Sequence, residues 1–127
     1  MKAKINIITL AVRDMAASKS FYEQAFDFMA SDVSEDLCVF PLEGELFLTL
    51  QQVENRLPQA LPEEPQEAFS AGFILSHNVD SKEEVDAVVV RAEAAGAQKV
   101  TTLIEEWGYS VTIIDLDGHH WEILFTE

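Results

Sequence analysis

The sequence is short of cysteine, of cationic side chains and of long apolar runs, and each shortage excludes something. One cysteine, Cys38, stands in 127 residues. A single thiol allows no intrachain disulfide framework, and that usage fits the reducing cytoplasm. Cys38 lies in the apolar run Leu-Cys-Val-Phe, where a small buried hydrophobe is expected in preference to a reactive thiol. Lysine and arginine number 8 against 23 Asp and Glu, a formal net charge of −15. Nucleic acid and anionic membranes are therefore set aside as partners, because both select cationic surfaces. The same balance serves solubility and suits a cationic ligand. No apolar run approaches the ~20 residues of a membrane-spanning helix. The opening Met-Lys-Ala-Lys-Ile-Asn-Ile-Ile enters an alternating pattern without a cleavage-type segment, so no secretory signal is expected. A phosphate-binding glycine loop, a CxxC pair and the nucleophile arrangements of hydrolases are also missing.

Proline is scarce too, but it is concentrated. Of 4 prolines, Pro58, Pro62 and Pro65 fall between Val53 and Ser70 among Glu54, Glu63, Glu64 and Glu67. Such a stretch is too broken for a long helix. It reads as a connector, 53–70, and the most mobile part of one domain, dividing it into module one (1–52) and module two (71–127).

Each module begins in the same way. Ile5 to Val12 is a strand rich in β-branched residues, with Ile8, Leu10 and Val12 on one face and Ile7, Thr9 and Ala11 on the other. Asp14 is the N-cap of the helix that follows, whose apolar stripe is Ser18, Phe21, Tyr22, Ala25 and Phe26. Leu37–Phe40 and Leu46–Leu50 form a hairpin across Pro41–Glu45. After the connector, Gly72–Val79 is a strand, and Ser81 with Glu84 makes a capping box. Val85, Val88, Val89 and Ala92 form the second helix stripe, closed by Ala95-Gly96. Lys99–Leu103, Trp107–Ile114 and the stretch after the Asp115–Gly118 turn are three more strands. The order implies a duplicated βαβββ unit and an α+β fold: a curved mixed sheet with the helices on its outer face.

The last strand carries the oddest residue. Trp121, Ile123 and Phe125 fall on one face; His120, Glu122 and Leu124 fall on the other. A carboxylate between large apolar neighbours faces water, is paired, or lines a cavity, because burying it alone is costly. The helices should cover the more apolar strand faces. The opposite faces then gather Thr9, Thr49, Ser76, Asn78, His120 and Glu122, a mixture typical of a small-molecule pocket. His77 falls on the helix side as a structural histidine. His119-His120 reads either as a hydrogen-bonded turn exit or, through His120 with Glu122, as two donors for one divalent ion. Trp107 and Tyr109 read either as a pocket-mouth pair able to stack on a flat or cationic ligand, or as aromatics closing the core.

Two segments resemble the vicinal oxygen chelate superfamily, which includes glyoxalase I, extradiol dioxygenases, and fosfomycin- and bleomycin-resistance proteins. They are Ile8-Thr-Leu-Ala-Val-Arg-Asp-Met-Ala-Ala-Ser-Lys-Ser-Phe-Tyr-Glu23 and Asp115-Leu-Asp-Gly-His-His-Trp-Glu-Ile123. The resemblance implies two βαβββ modules over essentially the whole chain, and a homodimer. Metal-dependent members place ligands at positions that match Ile7, Thr49, Ile74 and Glu122. Of these, only Glu122 is a ligand, since isoleucine cannot coordinate and threonine is a poor substitute for carboxylate or imidazole. The expectation is a binding protein with no cofactor, for a small cationic or aromatic molecule. Glu122 supplies the counter-charge or, in an enzyme, the general base; Thr9, Thr49, Ser76, Asn78, Trp107, Tyr109 and His120 bind the ligand. The alternative is a glyoxalase-like or dioxygenase-like enzyme holding a divalent metal at His120 and Glu122.

Overall fold

The structure, a computed structural model, describes residues 2–53 and 72–127. The connector read at 53–70 therefore lies outside the described residues, apart from Val53. Module one runs β1 (Ile7–Val12), α1 (Met15–Phe26), β2 (Asp32–Val33), β3 (Leu37–Pro41) and β4 (Phe47–Gln52), with a 3-10 turn at Glu43–Glu45 before β4. Module two runs β5 (Leu75–Asn78), α2 (Lys82–Ala94), β6 (Gln98–Glu105), β7 (Gly108–Ile114) and β8 (His120–Thr126).

Each module folds its strands into its own four-stranded sheet, ordered β1-β4-β3-β2 and β5-β8-β7-β6. In both, the strand before the helix pairs in parallel with the last strand of the module, and the remaining pairs are antiparallel. A parallel neighbour needs a crossover, and α1 and α2 begin those crossovers. The duplication read from the sequence is thus a repeated topology. The two-residue β2 is too short for any alternation to reveal it.

Local chemistry sets the helix ends. The Asp14 carboxylate accepts from the Ala17 backbone N–H at 3.1 Å, and the Ser81 hydroxyl accepts from Glu84 N–H at 3.1 Å. The Glu84 side chain reaches back one residue further than a capping box requires, to Asp80 N–H at 3.0 Å. Helix α1 stops at Asp27, which turns left-handed at φ 61°.

Alternation places the core. Leu10, Val12, Leu48 and Leu50 of sheet one, and Val111, Ile113, Trp121 and Ile123 of sheet two, join one buried cluster with Phe21, Tyr22, Val85 and Val88 of the helices. Burying each of these large side chains contributes about 1.5–3 kcal/mol. The helix-facing sides of both sheets therefore share one core. Across it, the Tyr22 ring lies 5.7 Å from Trp121, and Phe26 lies 4.6 Å from Trp121.

Candidate ligand site

The side chains of interest sit on the faces turned away from the helices. In sheet one, parallel pairing sets Thr9 beside Thr49 and Ile7 beside Phe47. In sheet two it sets Ser76 beside Glu122, and antiparallel pairing sets Thr112 beside Glu122 and Ile114 beside His120. Glu122 is thus flanked by two hydroxyl residues. The Ser76 hydroxyl donates to its Oε1 at 3.1 Å. Glu122 is half-buried, and no lysine or arginine pairs with it among the described residues.

His120 is the unexpected member of this face. Its side chain is 1% exposed, and neither ring nitrogen has a hydrogen-bond partner among the described residues. Burying a polar group without a partner is costly, so such atoms are uncommon. The hydrogen-bonded turn exit belongs instead to His119, whose Nδ1 lies 2.9 Å from Asp115 Oδ2 and whose backbone N–H donates to Asp115 Oδ1 at 2.8 Å.

That turn fixes strand β8, and with it Glu122, against module one. Asp115 accepts the Tyr22 hydroxyl, and Tyr22 in turn accepts the Trp121 indole N–H at 3.0 Å. Asp117 accepts from the Ser18 hydroxyl at 3.0 Å and from Arg13 N–H at 3.1 Å. Burial, then the neighbouring Asp115 charge, holds the Tyr22 hydroxyl well above the usual tyrosine range. Burial also raises the Asp117 carboxyl, against the hydrogen bonds from Arg13 and Ser18. In the sequence these aspartates read only as turn chemistry, and Tyr22 and Ser18 only as one helix stripe. Their meeting depends on how the modules pack.

Two expected ligand residues stand elsewhere. Tyr109 faces the helices, and its hydroxyl donates to Asp86 of α2 at 2.6 Å. The alternation of β7 decides this: Tyr109, Val111 and Ile113 share the helix side, while Ser110 and Thr112 share the face with Glu122. Trp107 occupies the turn between β6 and β7, 42% exposed, and lines no part of the cavity described next. Of the two readings weighed for these aromatics, Tyr109 follows the core-closing one. Ser110 and Thr112, both buried, are further polar residues of this face, and their alternation with Val111 and Ile113 is the sequence signal for it.

A cavity of about 660 Å³ opens beside β5, where Ser76, His77 and Asn78 meet the loop after α1 and the turn after β3. His77 sits on the helix side as expected, its ring edge-on to Phe26 at 5.4 Å. Burial lowers its pKa below the ordinary 6.5.

The ligand positions of metal-dependent relatives do not fit a metal here. Ile7 is 58% exposed on the open face of sheet one, Thr49 is buried, and Ile74 precedes β5. Among the described residues no three His, Cys, Asp or Glu side chains gather around a common point. His120 and Glu122 alternate onto one face and supply two donors.

The Glyoxalase/Bleomycin resistance protein/Dioxygenase superfamily model matches residues 4–123. No curated protein matches the chain in sequence. Among solved structures, a glyoxalase-related enzyme from Fulvimarina pelagi is 26% identical, with a TM-score of 0.81 over 98% of this chain and 89% of that one. A glyoxalase/bleomycin resistance protein/dioxygenase family enzyme from Burkholderia phytofirmans PsJN is 25% identical, with a TM-score of 0.77 over 98% of this chain and 100% of that one. The fosfomycin resistance protein FosX from Listeria monocytogenes, solved with Mn(II) and sulfate, is 20% identical, with a TM-score of 0.77 over 100% of this chain and 93% of that one. At that identity the likeness to FosX is one of fold.

Proposed function

The chain belongs to the glyoxalase/bleomycin resistance protein/dioxygenase superfamily, and we propose that it is a small-molecule-binding member that works without a metal, in the cytoplasm, through the open face around Glu122. The carrying observation is a half-buried Glu122 carboxylate, oriented by Ser76 and without a cationic partner among the described residues, beside a buried His120 whose ring nitrogens lack partners among the same residues. A ligand that donates to Glu122, most simply an organic cation with an aromatic body, satisfies the face. Thr112, beside Glu122, offers a further hydroxyl, whereas Thr9 and Thr49 stand on the open face of the other sheet, away from Glu122. Ile7, Leu37 and Phe47 are exposed on sheet one. That apolar face supports a second proposal, a homodimer that covers it.

The test is calorimetric binding of a panel of aromatic amines to the wild type, to Glu122→Gln and to Ser76→Ala. Glu122→Gln should weaken binding about tenfold, the scale of one charge-assisted contact, and Ser76→Ala less. Ligands that bind all three proteins alike would remove Glu122 from the site. A metal-dependent enzyme at His120 and Glu122 is the competing reading. It requires metal co-purifying in stoichiometric amount and lost in His120→Ala, with a melting temperature raised by added Mn(II) or Zn(II).

A further inference from the structure

The cavity beside β5 differs in character from the face around Glu122. Its walls come from both modules: Phe28 from the loop after α1, and Trp121 from the helix side of β8, with ring centroids 6.5 Å apart and planes at 57°. Every fully charged side chain lining it is acidic. Asp27 stands on the loop after α1 and Glu43 on the turn after β3, so the two carboxylates belong to separate segments. Neither makes an ion pair among the described residues. The third titratable group is His77, which burial favours in its neutral form. Ser76 and Asn78 add neutral polar groups from an edge strand.

These features select by charge and shape together. Trp and Phe faces attract a cation through the ring quadrupole, and more strongly where water is excluded. Two carboxylates at the rim repel anions, and the net charge of −15 steers cations toward the surface. A volume of about 660 Å³ suits a molecule of drug size. We propose that this cavity between the modules is a second binding site, for an organic ammonium ion with an aromatic body, with Trp121 and Phe28 as walls and Asp27 and Glu43 as counter-charges. Only the loop after α1 and the turn after β3 of module one, brought against β5 and β8 of module two, build it. Glu122 and Trp121 lie on opposite sides of sheet two, and Ser76 at the sheet edge both lines the cavity and bonds Glu122, so Glu122→Gln and the Asp27, Glu43 double variant tell the two sites apart.

The experiment uses the full chain carrying Trp107→Phe, which leaves Trp121 as the one tryptophan. Benzyltrimethylammonium, benzyl alcohol and benzoate are titrated while Trp121 fluorescence is followed at low and high salt. The cation should change the Trp121 emission saturably and bind at least about tenfold more tightly than the alcohol, with benzoate weakest. Asp27→Asn with Glu43→Gln should cut cation affinity about tenfold and flatten its salt dependence. Asparagine tolerates the left-handed backbone at position 27, so this variant keeps the helix end. Equal binding of cation and alcohol overturns the proposal. So does an affinity that falls with Glu122→Gln and not with the double variant, or the absence of any saturable cation effect on Trp121.

Discussion

The Tyr22 hydroxyl donates to the Asp115 carboxylate across 93 positions of sequence, from the helix of module one to the last turn of module two. Both side chains are buried, at 1% and 3% exposure. One carboxylate thus serves a tyrosine of the other module, the ring of His119, and the backbone N–H groups of Asp117 and His119. The relationship ties the packing of the modules to the placement of β8, and β8 carries Glu122.

Tyr22→Phe removes one charge-assisted hydrogen bond and strips the Trp121 indole N–H of its acceptor. The expected loss of stability is about 1.5–3 kcal/mol. Asp115→Asn should cost at least as much, because His119 and two backbone donors lose the charged acceptor. Urea denaturation of both single variants and the double variant measures the coupling. Strictly additive effects would show that the two residues do not act as a unit.

Asp117 makes stability depend on pH with a defined sign. Its folded pKa is raised above the ordinary 3.8, chiefly by burial. Its contribution is therefore fully present below pH 3.8 and is lost as pH rises through the folded value. The stability of wild type minus that of Asp117→Asn should fall as pH climbs from below 3.8 toward neutrality. A difference that stays flat or rises over that range contradicts the assignment.

His77 carries the opposite sign. Burial lowers its pKa below 6.5, so its contribution is present above 6.5 and is lost as pH falls through the folded value. Imidazole resonances followed by NMR should give His77 a midpoint below 6.5. A cationic ligand in the neighbouring cavity should lower it further, and an upward shift would count against that placement.

Gly108 opens β7 with φ at 156°, and a Cβ there would lie 2.0 Å from the Phe125 carbonyl oxygen. That neighbour is strand backbone, which has little room to retreat. Gly108→Ala should therefore separate the start of β7 from the end of β8 and cost more than about 2 kcal/mol, a value at the upper end for one substitution. Thermal unfolding measures it, and a melting temperature within a degree or so of wild type would refute the clash.

Metal binding can be tested by restoring what the chain lacks. Wild type should show no change in melting temperature with Mn(II), Zn(II) or Ni(II). Ile74→His, which adds an imidazole just before β5 on the face of Glu122 and His120, should show a metal-dependent rise by linkage. A rise in wild type equal to that of the variant would restore the metal reading at His120 and Glu122.

The sequence by itself determined whatever follows from local periodicity. Alternation separated Leu10 and Val12 from Thr9, and Trp121 and Ile123 from Glu122. The capping roles of Asp14 and Ser81, the helix stripes and the doubled order of elements follow from the same short-range rules, as does the helix side of His77. Tyr109 departed from its pocket reading because the same alternation, carried back along β7 from Ile113, turns it toward Asp86. Tertiary structure alone decided which distant groups meet. Asp115 and Asp117 look like turn formers until α1 brings Tyr22 and Ser18 to them. Asp27 and Glu43 stand 16 positions apart in sequence, with no local rule linking them to His77, until packing of the modules sets all three around one cavity. Hydrophobic periodicity encodes which face of an element is buried, whereas contacts between elements depend on chain crossings whose register leaves no periodic trace in the sequence.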